Sequence, residues 1–96
     1  MDKIIEQINL YENALQYAKT IEKDVSWVKL YNDRIEQLNQ IRTYLKNKDI
    51  ENLSTIINSE SRSYGWSFYP DKHGEKAEAA FWNLKKLLVD NNLIKK

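Results

Sequence analysis

Along most of this chain apolar residues return at spacings of three and four, the period of an amphipathic helix, and polar residues fill the positions between them. The first segment carries Ile4, Ile8, Tyr11, Leu15 and Ala18 in one row and Leu10, Ala14, Tyr17 and Ile21 in a second row one strip over. A face that wide is predicted to touch two neighbours, which makes this the central helix of a bundle. Asp24 and Ser26 are alternative N-caps for the next helix, because either side-chain oxygen can accept a free amide of the first turn. Its stripe is Trp27, Tyr31, Leu38, Ile41 and Leu45, flanked by Val28 and Ile35, with Asp33, Glu36, Asn39 and Gln40 outward. A third, shorter helix is predicted in "NKDIENLSTIINSE", capped by Asn47 or Asp49 and burying Ile50, Leu53, Ile56 and Ile57. The last begins within "DKHGEKAEAAFWNLKKLL", with Asp71 as cap and Ala77, Phe81, Leu84 and Leu88 as its stripe. Trp82 lies about 130° from that stripe, beside Val89, and needs another cover or stays exposed. The tight turns make the first three helices run up, down and up.

One stretch departs from this pattern. Tyr64, Trp66 and Phe68 alternate with Ser63, Gly65 and Ser67, a period of two that fits extended backbone. Gly65 can take angles closed to other residues, and Pro70 biases Tyr69 away from helix. Gly74 lets a partner or the chain itself approach closely. The predicted fold is therefore all-α: an antiparallel four-helix arrangement with a short third helix and a long, extended, aromatic connection before the last. The rings of that connection have two possible uses. They fold down as a lid over the bundle and cover Trp82, or they stay exposed as a binding surface with Arg62, Tyr69, Asp71 and His73 along its rim.

Length and charge narrow the picture. Ninety-six residues, 42% of them hydrophobic, suit one domain over residues 1–96, because a chain of this size buries only about two thirds of its unfolded surface. There is no cysteine, which excludes disulfides, thiolate metal sites and a cysteine nucleophile and is compatible with a reducing cytoplasm. The start, "MDKIIEQINLYENAL", carries acids among its apolar residues and does not read as a secretory signal. The longest apolar run, Ala79 to Trp82, is far too short to span a bilayer. A net charge of +1 removes the strong positive field typical of nucleic-acid binders. The charge alternates in sign along the chain, which suits helices that complement their neighbours and ends in a frayed lysine tail.

Candidate chemistry is sparse. Arg34 and Arg42 fall on or beside the apolar strip of the second helix, where each is expected to pair with an acid on the first or third helix. Asp71, His73 and Glu75 are spaced two apart and cannot all face one point on a helix, and no second histidine exists to complete a metal site. Pairing Ser61, Ser63 or Ser67 with His73 would need an oriented base and an oxyanion hole, for which no strand and glycine-rich turn are present. With no phosphate-cradling loop either, neither an enzyme nor a cofactor or metal protein is expected.

Across "YGWSFYPDKHGEKAEAAFWNL" the chain resembles small uncharacterised bacterial proteins of the immunity type that accompany contact-dependent and polymorphic toxins. The resemblance implies a protein that binds one toxin domain and blocks its active site. A protein-binding module is thus expected, with Arg62, Tyr64, Trp66, Tyr69, Asp71, His73 and Trp82 as partner-binding residues. High lysine, asparagine and isoleucine content also suits a phage or mobile-element inhibitor of a host defence complex. A third alternative is nucleic-acid binding through Lys76, Lys85, Lys86, Lys95 and Lys96 with Trp82 as a stacking platform, but those lysines do not share one stripe. The chain is expected as a monomer or as a homodimer joined through the period-two segment.

Overall fold

Four α-helices make up the regular structure in the computed structural model, which describes residues 2–67 and 75–95, with backbone alone over 65–67. They are α1 (Asp2–Ile21), α2 (Val25–Lys46), α3 (Ile50–Ser67) and α4 (Glu75–Asp90). No strand occurs among the described residues. The boundaries follow local chemistry. Asp24 is the cap of α2, its Oδ1 accepting the Ser26 N–H at 2.9 Å, while Glu22 Oε1 accepts the N–H groups of Lys23 and Asp24 at 2.9 and 3.1 Å. Asp49 caps α3 by accepting the Asn52 N–H at 3.2 Å.

Both α2 and α4 end on a left-handed residue, Lys48 at φ 55° and Asn92 at φ 57°. In each, two amides turn back to free carbonyls: Lys48 to Leu45 and Asp49 to Tyr44 at 3.1 and 2.9 Å, Asn92 to Val89 and Leu93 to Leu88 at 3.0 and 2.9 Å. This paired closure is the Schellman motif, and it reverses the chain in few residues. Between α2 and α3 that reversal makes the two helices antiparallel, and cross-helix bonds agree with an antiparallel order along the chain: Arg42 near the end of α2 reaches Asn9 of α1, Arg34 reaches Ser63 of α3, and Lys85 of α4 reaches Ser61.

One core fills the space between the helices. It takes Ile4, Ile8, Tyr11, Leu15 and Ala18 from α1, Tyr31, Leu38, Ile41 and Leu45 from α2, Leu53, Ile57 and Tyr64 from α3, and Ala77, Phe81, Leu84 and Leu88 from α4. The stripes predicted for α1 and α4 are thereby the buried ones. Two details differ. Ile50 stays exposed at the first turn of α3. The segment after α4, expected to fray, is held at Ile94 and Lys95: Ile94 is buried, and the Lys95 N–H donates to Ser54 Oγ at 2.8 Å.

The third helix corrects the sequence reading more substantially. It has 18 residues against 16 for α4, so it is not short, and it runs unbroken through Ser63, Tyr64, Gly65, Trp66 and Ser67 where extended chain was expected. Phe68 lies outside the described residues. The physical reason is register. Leu53, Ile57, Glu60 and Tyr64 follow one another at spacings of four, three and four, so Tyr64 continues the buried row. Its ring lies 4.9 Å from that of Phe81. Burying such a ring is worth roughly 2 to 3 kcal/mol, more than the ~1 kcal/mol that Gly65 costs a helix. Among the described residues no helix is long and apolar enough to cross a membrane.

Candidate functional site

Inside the half of the bundle where α3 ends and α4 begins, the core turns polar. Arg34 of α2 and Glu60 of α3 are both buried, Glu60 to 1% exposure, and face each other at 4.0 Å. Arg34 also donates to Ser63 Oγ and, at 3.2 Å, to Gln37, and its guanidinium lies 5.1 Å from the centre of the Tyr64 ring. On the other side the Tyr11 hydroxyl donates to Glu60 at 3.5 Å and meets the Tyr64 hydroxyl at 2.6 Å. A proton order from Tyr64 to Tyr11 to the Glu60 carboxyl gives each hydroxyl a partner. Among the described residues Arg34 Nε and Glu60 Oε1 make no hydrogen bond.

Burial sets the electrostatics of this cluster. Loss of hydration pushes the Glu60 carboxyl up to about 7, against the opposing pull of Arg34 and of the Tyr11 hydrogen bond. The same desolvation, aided by the nearby Glu60 charge, raises Tyr11 well above its ordinary value. Tyr64 goes up to about 12, again through burial first. Both phenols thus stay protonated donors across the physiological range.

This cluster underlies a surface. Trp82, displaced from the core stripe, projects from α4 toward α3 and packs edge-on to Phe81 at 5.1 Å and against Tyr64 at 6.5 Å. Its Nε1 donates to Glu78 at 3.0 Å, and the Lys85 ammonium sits 5.6 Å from the ring centre while donating to Ser61 at 2.7 Å. Held on several sides, the ring is still 38% exposed. Arg62, next to Ser61, is exposed on the outer side of α3.

Of the residues predicted to meet a partner, the structure therefore leaves Arg62 and Trp82 accessible. Tyr64 is a correction: at 7% exposure and bonded to Tyr11 it belongs to the core, because helical register turned it inward. Trp66 lies in α3, and its side chain is outside the described residues, as are Tyr69, Asp71 and His73 altogether. Glu60 and Lys85 went unnoticed in the sequence. A reading that continued the Leu53 and Ile57 row by three and four would have met Glu60. For the arginines the expectation holds: Arg34 faces Glu60 on the third helix, and Arg42 pairs with Glu12 on the first at 2.6 Å.

At the opposite end a groove of about 390 Å³ is lined by Ile5, Ile8, Arg42, Leu45 and Lys46. Arg42 is already held there by Glu12 and Asn9, which leaves Lys46 alone to orient anything bound. Among the described residues no group of three histidine, cysteine or acidic side chains is placed to hold a metal ion. No family model, curated protein or solved structure matches the chain.

Proposed function

We propose that this protein is a protein-binding module that docks a partner through the α3–α4 face around Trp82 and Lys85, with Arg62 on the adjoining outer side of α3. The observation that carries the reading is the state of Trp82: a large ring immobilised by Phe81, Tyr64, Glu78 and Lys85 yet over a third exposed. Tryptophan and arginine dominate binding hot spots, and a ring ordered beforehand loses little entropy when a partner covers it. Because Nε1 is already satisfied by Glu78, the exposed ring area can be buried without stranding a polar group.

The resemblance of residues 64–84 to immunity-type proteins supplies the partner class, a bacterial toxin domain whose active site the module covers. Trp82→Ala and Arg62→Ala are each expected to weaken the complex by about 2 kcal/mol or more, the hot-spot threshold, which is roughly thirtyfold in Kd. The measurement is co-purification with the product of the adjacent gene, followed by titration of both variants. Absence of a complex, or variants that bind as tightly as the parent while melting at its temperature, would sink the proposal.

A further inference from the structure

Glu60 is almost fully buried, and its surroundings match a neutral carboxyl better than an ionised one. Oε2 accepts a single long bond, from the Tyr11 hydroxyl at 3.5 Å, and Oε1 accepts none among the described residues. An ionised carboxylate in a protein interior is held by several donors. The nearest cation stands back from that role. Arg34 Nη1 is 4.0 Å from Oε1, outside hydrogen-bond distance, while the guanidinium donates to Gln37 at 3.2 Å and to Ser63 Oγ, and its Nε–H makes no hydrogen bond. Burial, which pushes the Glu60 carboxyl up to about 7, acts in the same direction as this geometry.

A spare acceptor and a spare donor thus share one cluster, and among the described residues the other charged groups near it are engaged elsewhere. Tyr11 of α1 and Arg34 of α2 face Glu60, and Tyr64 joins from within α3 through its bond to Tyr11. From α4, Glu78 acts on Tyr64 but accepts from Trp82 Nε1, and Lys85 donates to Ser61. When Glu60 gives its proton to solvent, the attraction between the new carboxylate and Arg34 is strong in this low-dielectric setting. A charge-assisted bond of about 2.8 Å then requires Nη1 to advance by roughly 1 Å. The guanidinium is a rigid planar fork, so the advance shifts its other amino group relative to Ser63 and its face relative to the Tyr64 ring, whose centre is 5.1 Å away. Both residues belong to the last two turns of α3. We infer that Glu60 and Arg34 form a protonation switch inside the bundle: with the carboxyl neutral, Arg34 holds Ser63 near the end of α3, and with the carboxyl ionised, Arg34 closes on Glu60 and loosens that hold. The switch lies one layer beneath the Trp82 surface, because the Tyr64 ring packs against both Arg34 and Trp82. It needs no partner, so it stands or falls independently of the docking proposed there.

An NMR titration of the whole chain from pH 5 to 9 tests this. The Glu60 carboxyl carbon is expected to titrate near 7, with the Arg34 Nε–H and Ser63 amide signals shifting on the same midpoint. In Glu60→Gln, which stays neutral, both signals are expected to keep their low-pH positions throughout. Ser63→Ala removes the acceptor that competes for Arg34. It is expected to lower the Glu60 midpoint, because the guanidinium then meets the carboxylate without giving up a bond. A merely structural role for Ser63 would change the melting temperature and leave that midpoint in place. A carboxyl that does not titrate in this range, Arg34 and Ser63 signals that stay fixed while it does, shifts that persist in Glu60→Gln, or a parent-like midpoint in Ser63→Ala would each overturn the switch.

Discussion

Glu60 occupies a position where the row Leu53, Ile57, Tyr64 would take another apolar side chain, and its environment makes it a titrating group near neutrality. The unfolded chain releases this proton near 4.5, the folded chain only at about 7, so between those values the folded state binds more protons. Stability from this group is therefore full below pH 4.5 and falls as pH rises toward 7, by about 3 kcal/mol in all. Glu60→Gln keeps the shape and stays neutral. Urea unfolding across pH 4 to 8 is expected to show parent and variant nearly equal at the acid end and the variant more stable by about 3 kcal/mol at pH 8. Parallel curves would refute the assignment. The arginines facing acids were legible because a guanidinium on an apolar stripe must be paired. Glu60 was not, because the alternation of serine and glycine with aromatic rings after Arg62 hid the helical row that runs through it.

At the scale of the element, the competition at residues 63–67 was between a local period of two and a longer register of three and four. The register prevails because a helix that already holds Leu53 and Ile57 in the core needs only about two more turns to bury Tyr64 against Phe81. Gly65→Ala tests this. In a helix it is expected to stabilise the protein by about 0.5 to 1 kcal/mol, provided the added methyl meets no neighbour. At a glycine requiring angles closed to alanine it would destabilise instead, and thermal unfolding separates the two signs. The closures of α2 and α4 offer a second test. Lys48 and Asn92 sit at φ 55° and 57°, where a Cβ is strained. Lys48→Gly is expected to raise stability by about 1 kcal/mol, and Asn92→Gly by less, because asparagine tolerates that region better. Caps at Asp24 and Asp49 were readable because they depend on two or three neighbouring residues. Left-handed closures on lysine and asparagine carry no glycine to announce them.

For the whole molecule, the bundle depends on contacts between distant parts of the chain that no local pattern reveals. Ile94, past the end of α4, is buried, while the next amide bonds to Ser54 of α3. Ile94→Ala is expected to cost 2 to 4 kcal/mol, the usual penalty for emptying a buried isoleucine site. A change within about 0.5 kcal/mol by denaturant unfolding would return the tail to the frayed state that its lysines suggested. The wide apolar face of α1 is another case. Its two rows were equally visible, but one became core and the other an exposed edge, a choice made by where α2 and α4 settle around α1.

What the residues themselves determined is the set of helices, the capped starts of α2 and α3 and the apolar rows of α1, α2 and α4, because hydrogen bonds and side-chain burial within one helix depend on neighbours a few positions away. Only the tertiary structure decided that Tyr64 belongs to the core, that Glu60 and Arg34 meet inside it, and that Trp82 and the Leu10–Tyr17 edge are left to the surface. Those outcomes turn on which helix face lies opposite which, and that is set by simultaneous packing of all four helices in a volume too small to cover every apolar row.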